Sequence, residues 1–239
     1  MYGEDLAYIH DQGYSSGTKQ AAPFIVRMLQ SRDLRYGRIF NIGCGTGHST
    51  AVFAKAGYDV IGVDRSPAMV RFAKRRTPRG TFMTASSLMS IKTPSDLIVA
   101  IGDVFNYLPS RQALQDMIRG TFETLRPDGY LVFDIRTPPP PGGLQGWSNG
   151  RTGKDWAVIA TSCVAPNKQR LTRTITIFRK VRGKRRRGKE THRQQLYQPV
   201  EIHHWLRSKG FRMQVRCGYG RTQICPGGKV FISRKPLTS

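Results

Sequence analysis

Arg38-Ile39-Phe40-Asn41-Ile42-Gly43-Cys44-Gly45-Thr46-Gly47 reads as a buried strand that ends in a tight glycine turn and opens a helix. Alternating glycines let a backbone pass close to a bound molecule. A second apolar run, Tyr58-Asp59-Val60-Ile61-Gly62-Val63, closes on Asp64. Strand, turn, helix, strand and terminal carboxylate together frame a nucleotide-type site. The carboxylate can accept hydrogen bonds from ribose hydroxyls while the turn holds the rest of the ligand. Glycines that served only a tight turn would leave Asp64 without a role.

Dinucleotide sites use G-x-G-x-x-G, because a pyrophosphate sits on the helix N-terminus. Here the spacing is G-x-G-x-G, followed by His48 and Ser49. That turn, the strand end Val63-Asp64 and the following Ser66-Pro67-Ala68-Met69 resemble the class I S-adenosylmethionine-dependent methyltransferases. Leu125-Arg126-Pro127-Asp128-Gly129 is similar to the family's turn before strand five, with Asp128 at the first glycine position. The resemblance covers roughly residues 35 to 137. The family's acidic residue two places before the first glycine is Asn41 here. An amide can orient the turn but cannot pair with an ammonium as a carboxylate does. A nicotinamide enzyme is the second reading, since the fold logic is shared.

The resemblance implies a cofactor, S-adenosyl-L-methionine, released as S-adenosyl-L-homocysteine. It implies that Gly43, Cys44, Gly45 and Gly47 border the methionine portion and that Asp64 takes the ribose hydroxyls. Arg65 and Met69 flank the adenine side. Ser86 stands where many relatives carry an aspartate facing the adenine amino group. Gly102 offers its carbonyl to the ammonium. In small-molecule members an N-terminal segment folds over the cofactor and brings an aromatic residue; Tyr14 is the candidate, Tyr8 the second. No metal is implied.

The bulk properties describe one α/β domain of 239 residues. Four cysteines show neither metal-ligand spacing nor a paired framework, which predicts reduced thiols and a cytoplasmic setting. No apolar stretch is long enough for a membrane span, and the first ten residues lack a signal-peptide core. The net charge of +24 points to a polyanionic partner or an acidic acceptor. Arg179, Lys180, Arg182, Lys184, Arg185, Arg186, Arg187 and Lys189 concentrate it between two alternating segments. The expectation is a solvated hairpin tip, with anion or RNA contact as the alternative.

Along the chain, residues 1–34 form an N-terminal cap whose helix spans Thr18 to Arg32; the stretch from Tyr8 to Tyr14 has no clean period. Residues 35–137 alternate strand and helix. Their strands are Arg38–Ile42, Tyr58–Asp64, Thr81–Thr84, Asp96–Ile101 and Tyr130–Ile135, and Ser66 and Ser110 cap helices. Residues 138–198 hold three antiparallel strands as an insertion, within Asp155–Val164, Leu171–Val181 and Glu190–Tyr197. Residues 199–239 give the last helix and two final strands. The fold class is a doubly wound, mostly parallel seven-stranded sheet with a small antiparallel insertion. Sugar N-methyltransferases of the family place an insertion here over the acceptor cavity.

Methyl transfer is an in-line displacement in which the cofactor supplies the reactive group and the protein supplies alignment. Gly102-Asp103-Val104-Phe105-Asn106-Tyr107 lies at the carboxyl ends of the strands, where open α/β sheets bind ligands. Asp103, Asn106 and Tyr107 are therefore the acceptor-side candidates. Asp103 can take or orient a proton, or simply serve the dipole of the following turn. His10, His192, His203 and His204 are not tied to the site by spacing, and none is assigned. The sequence thus predicts methyl transfer to a nitrogen or oxygen of a small molecule. RNA methylation is the rival within the enzyme class, and an idle cofactor- or nucleic-acid-binding module the rival outside it. No membrane partner is expected, and the oligomeric state stays open.

Overall fold

The computed structural model describes residues 2–85 and 93–237. Two helices open the chain, α1 (Glu4–Gly13) and α2 (Ser16–Gln30). Then β1 (Arg38–Ile42), α3 (His48–Lys55), β2 (Asp59–Asp64), α4 (Pro67–Arg76), β3 (Thr81–Thr84) and β4 (Ser95–Ala100) alternate. A short 3-10 turn (Val104–Tyr107) and α5 (Arg111–Thr124) lead to β5 (Leu125–Ile135). The insertion holds β6 (Gly146–Thr152), β7 (Trp156–Val164), β8 (Arg170–Val181) and β9 (Lys184–Gln195). The chain closes with α6 (Pro199–Ser208), β10 (Arg212–Arg216), a small hairpin of β11 (Gly218–Tyr219) and β12 (Thr222–Gln223), and β13 (Lys229–Arg234).

The main sheet runs β10-β13-β5-β4-β1-β2-β3. Its strands from β5 to β3 are parallel, and β13 lies antiparallel between β5 and β10. Successive residues of a strand point to opposite faces. Phe40, Ile98 and Phe133 accordingly enter one core with α5 and α6, while Ile39, Leu97 and Val132 enter the other with α2 and α3. Both faces are covered, so the central strands are apolar without alternation. Ser66 accepts from the Met69 N–H with Pro67 at the first helical position, and Ser110 accepts from the Ala113 N–H, as the capping residues predict.

Four expectations need correction. The stretch from Tyr8 to Tyr14 falls mostly within α1, a helix that packs Leu6 and Ile9 on Trp156, Val158, Ile175 and Ile177 of the insertion rather than on the main core. The insertion has four strands, not three; β6 is polar and almost wholly exposed, so it carries no alternation to read. The basic cluster does surround an exposed hairpin turn, but the loop is shorter than expected: only Arg182 and Gly183 make the turn, and Arg185, Arg186 and Arg187 are paired strand opposite Lys180, Arg179 and Phe178. Arg126 to Gly129 is a distorted start of β5 rather than a separate turn, with Asp128 at φ 69 and its N–H donated to the Lys235 carbonyl.

Candidate active site

At the end of β1 the chain turns with Gly43, Gly45 and Gly47 all in the left-handed region, at φ 65, 55 and 83. A β-carbon at Gly43 would strike Val104 and one at Gly47 would strike Ala73, so packing excludes a side chain at both; Gly43 also lines the cavity, and Gly47 does not. A β-carbon at Gly45 would meet nothing within 4 Å, because that position faces a cavity. Asn41, fully buried, donates to Ser49 Oγ at 2.8 Å and Thr50 Oγ1 at 3.0 Å, which ties the strand end to the first turn of α3. Cys44 is buried against Val70, Ala73 and Phe82, and burial pushes its thiol up. Asp64 ends β2 beside the turn: its Oδ2 accepts the Gly45 N–H at 2.9 Å and its Oδ1 the Ser66 N–H at 2.8 Å. Burial raises its carboxyl above the ordinary range. Arg65, Met69 and Gly102 also line the cavity. Ser86 lies outside the described residues.

The cavity, of about 640 Å³, sits at the carboxyl ends of β1, β2, β4 and β5 and is covered by the N-terminal segment and the insertion. Asp103 lines it in a left-handed conformation, φ 50, and caps nothing. Its Oδ2 accepts from Arg136 Nε at 2.9 Å and from Gln194 Nε2 at 3.1 Å. The ion pair orders the Asp103 side chain on the cavity wall, and that side chain makes no cap hydrogen bond to the turn that follows. Asn106 is fully buried and is no acceptor-side group: it bonds the Arg136 N–H and carbonyl and the Gln195 carbonyl, stapling β5 to β9. Tyr107 reaches the cavity, and burial, reinforced by Asp103, pushes its phenol up to about 12. Tyr14 reaches it too, stacked on His10 and lying under the Arg151 guanidinium at 5.2 Å. Tyr8 does not; its hydroxyl bonds Asp155 at 3.1 Å.

Some groups on the wall carry no local signal in the sequence. Burial, then Asp103, pushes the Asp134 carboxyl up to about 6, against hydrogen bonds from Tyr219 Oη at 2.6 Å and the Gly102 and Asp103 N–H groups. Burial, then His48, pulls His10 down to about 4. His192, only 4% exposed, also faces the cavity, whereas His203 and His204 are exposed on α6.

A family model for a methyltransferase domain matches residues 39–129, the stretch from β1 to the start of β5. The GWCH70_2453 protein of Geobacillus sp. (strain WCH70), provisionally assigned as a methyltransferase, is 26% identical over 88% of this chain and 89% of its own length. Residues 39–129 form a methyltransferase domain, and the chain is similar to the class I S-adenosylmethionine-dependent methyltransferases. Other curated relatives are matched over 39–48% of their length. Among solved structures, an S-adenosylmethionine-dependent methyltransferase from Clostridium acetobutylicum ATCC 824 superposes with a TM-score of 0.82 at 16% identity, over 97% of this chain and 98% of that one. The cofactor-bound amino pentose methyltransferase CalS10 from Micromonospora echinaspora gives 0.77 at 16% identity, over 98% of each chain. At these identities the likeness is one of fold.

The residues of this methyltransferase fit S-adenosylmethionine. Gly45 and Gly102 leave open space where a β-carbon would stand, and Asp64 keeps lone pairs beyond its two backbone bonds. When bound, the cofactor supplies a methyl carbon on a cationic sulfur. No cluster of metal-ligating side chains occurs among the described residues. No described helix is long and apolar enough to cross a membrane.

Proposed function

We propose that this methyltransferase acts on a nitrogen or oxygen of a small molecule held between the N-terminal segment and the insertion. The cavity carries the reading: about 640 Å³, lined by Gly45, Gly102 and Asp64 and also by Tyr14, Asp103 and Tyr107. That volume lies in the range of small-ligand sites. Arg173 adds a cation to the wall. Its one hydrogen bond among the described residues goes to Ser162 Oγ at 3.3 Å, and no described carboxylate pairs with it. An acceptor bearing a carboxylate or phosphate would supply that partner. CalS10, whose substrate is an amino pentose, shares the fold over its whole length and lends support to an amine acceptor.

A second reading, RNA as acceptor, draws on the net charge of +24. Against it, the dense cluster from Arg179 to Lys189 contributes nothing to the cavity wall. The test is release of S-adenosylhomocysteine from S-adenosylmethionine with panels of amino sugars, hydroxy acids, carboxylic acids and structured RNAs. Turnover with a small amine, alcohol or acid is expected. Turnover with RNA alone would overturn the proposal.

A further inference from the structure

Methyl transfer to an N–H or O–H acceptor releases a proton, and the cavity holds a line of side chains able to take it. Glu190 and His192 lie two residues apart on β9 and so share a face. His192 Nε2 is 3.0 Å from Glu190 Oε2, and His192 Nδ1 is 3.3 Å from the Tyr107 hydroxyl. An ionised carboxylate only accepts, so Glu190 takes the Nε2–H and leaves Nδ1 bare to accept from Tyr107. The line is held from other elements. The Gly3 N–H donates to Glu190 Oε1 at 2.9 Å, and the Tyr2 ring stands edge-on to His192 at 4.7 Å. Arg173, opposite His192 in the β8–β9 ladder, has its guanidinium on Ser162, and Asp103 is paired with Arg136. Carboxylate, imidazole and hydroxyl therefore stand in series, with the hydroxyl on the cavity wall. In that order the carboxylate fixes the tautomer of the imidazole and steadies the imidazolium when it forms.

We infer that Tyr107 is the catalytic residue that touches the acceptor, and that His192 and Glu190 are positioning residues that hold its proton; this rests on the small-molecule reading above. The acceptor N–H or O–H donates to Tyr107 Oη. The acceptor lone pair forms the new bond to the methyl carbon while the carbon–sulfur bond breaks, its electron pair remaining on sulfur. The acceptor proton passes to the Tyr107 oxygen as the Tyr107 proton passes to His192 Nδ1. Charge is conserved: one sulfonium is lost and one imidazolium is gained, beside Glu190. Tyr107 never becomes a free phenolate, in keeping with a phenol pushed up to about 12.

Two measurements test this. In the first, protein labelled with nitrogen-15 in its histidines and saturated with S-adenosylhomocysteine is studied by long-range proton–nitrogen correlation near neutral pH. The His192→Gln spectrum gives the assignment. A neutral ring protonated at Nε2 is expected, with an Nδ1 resonance that moves towards the free-imidazole position in Tyr107→Phe. A ring protonated at Nδ1, or an Nδ1 signal indifferent to Tyr107→Phe, overturns the inference. In the second, the acceptor returned by the turnover screen is used. His192→Gln should lower kcat roughly a hundredfold, within the span of general acid–base catalysis, and keep the parent's affinity for S-adenosylhomocysteine. An unchanged kcat in a folded variant overturns the relay. A screen that finds no acceptor counts against the small-molecule reading, and the nitrogen spectra still decide the relay.

Discussion

Asp64 accepts one backbone N–H on each carboxylate oxygen and lines the cavity. Asp64→Ala should weaken S-adenosylhomocysteine binding by about 1.5–3 kcal/mol, the scale of hydrogen bonds to a charged group. Calorimetry on the folded variant checks it, and unchanged affinity would put the ribose elsewhere. Gly45→Val adds a branched side chain where the turn opens to the cavity, at a φ of 55 that valine resists. Binding should be lost, again by calorimetry, with only modest destabilisation. The positions of both residues are legible in the sequence because they are local: a turn and a strand end keep their meaning within one β-α-β stretch. The acceptor side is not. The ion pair of Asp103 is not visible along the chain because its partners, Arg136 and Gln194, come from the end of β5 and from β9. His192 had no visible role because Tyr107 lies 85 positions away. The environments of His10 and Asp134 depend on tertiary partners in the same way. His10, held near 4 against an ordinary 6.5, contributes stability that is present above 6.5 and lost as the pH falls towards 4. Asp134, held near 6 against 3.8, contributes stability that is present below 3.8 and lost as the pH rises through 6. The two oppose each other between these limits. His10→Phe should therefore lose less stability than the parent on acidification from about pH 7 to about pH 4.5, by about 1–3 kcal/mol. Urea unfolding at the two pH values measures the difference.

Helix α1 is the element whose function depends most on what covers it. Its apolar face, Leu6 and Ile9, meets the insertion, and its polar ties run the same way. Arg179 pairs with Asp5 at 2.7 Å and lies over the Tyr8 ring at 3.7 Å, while Tyr8 bonds Asp155. On the cofactor side the Tyr2 carbonyl accepts from Ser66 Oγ at 2.6 Å, next to Asp64. The N-terminal segment thus straps the lid to the cofactor half of the cavity. Tyr8→Phe combined with Asp5→Asn should leave the thermal midpoint within a few degrees of the parent, because exposed or half-exposed polar ties contribute little to global stability. It should raise amide exchange across residues 4–13, since local opening is governed by those few contacts. Hydrogen exchange read by mass spectrometry would show it, and protection equal to the parent's would mean that the apolar face alone holds the strap. The strands and helices of the main sheet were readable because each carries its own period, cap or glycine stop. Helix α1 and β6 were not readable, since α1 is stabilised by tertiary packing and β6 by pairing along β7.

Across the whole molecule the net charge of +24 is the property that the cavity leaves unexplained. Its densest part is the exposed end of the β8–β9 ladder, where Arg185, Arg186 and Arg187 stand opposite Lys180, Arg179 and Phe178. These arginines make few ties: Arg186 reaches Asp5 at 4.0 Å, and Arg187 lies 6.0 Å over the Phe178 ring. Because they sit in a strand, threonine is the replacement that keeps the ladder, through its β-branched side chain. The triple change to threonine should shift stability by less than about 0.5 kcal/mol and leave S-adenosylhomocysteine affinity unchanged, since no residue of the cluster lines the cavity. Any RNA affinity of the parent should be weak and fall steeply with salt, because each neutralised phosphate releases a counterion. Removing three cations should then flatten the slope of log affinity against log salt by about 2 on single strands. A filter-binding series over salt, with parent and variant side by side, measures that slope. Selective binding of one structured RNA that survives physiological salt in the parent and disappears in the variant would make the insertion a nucleic-acid platform, and the acceptor would have to be sought on that RNA.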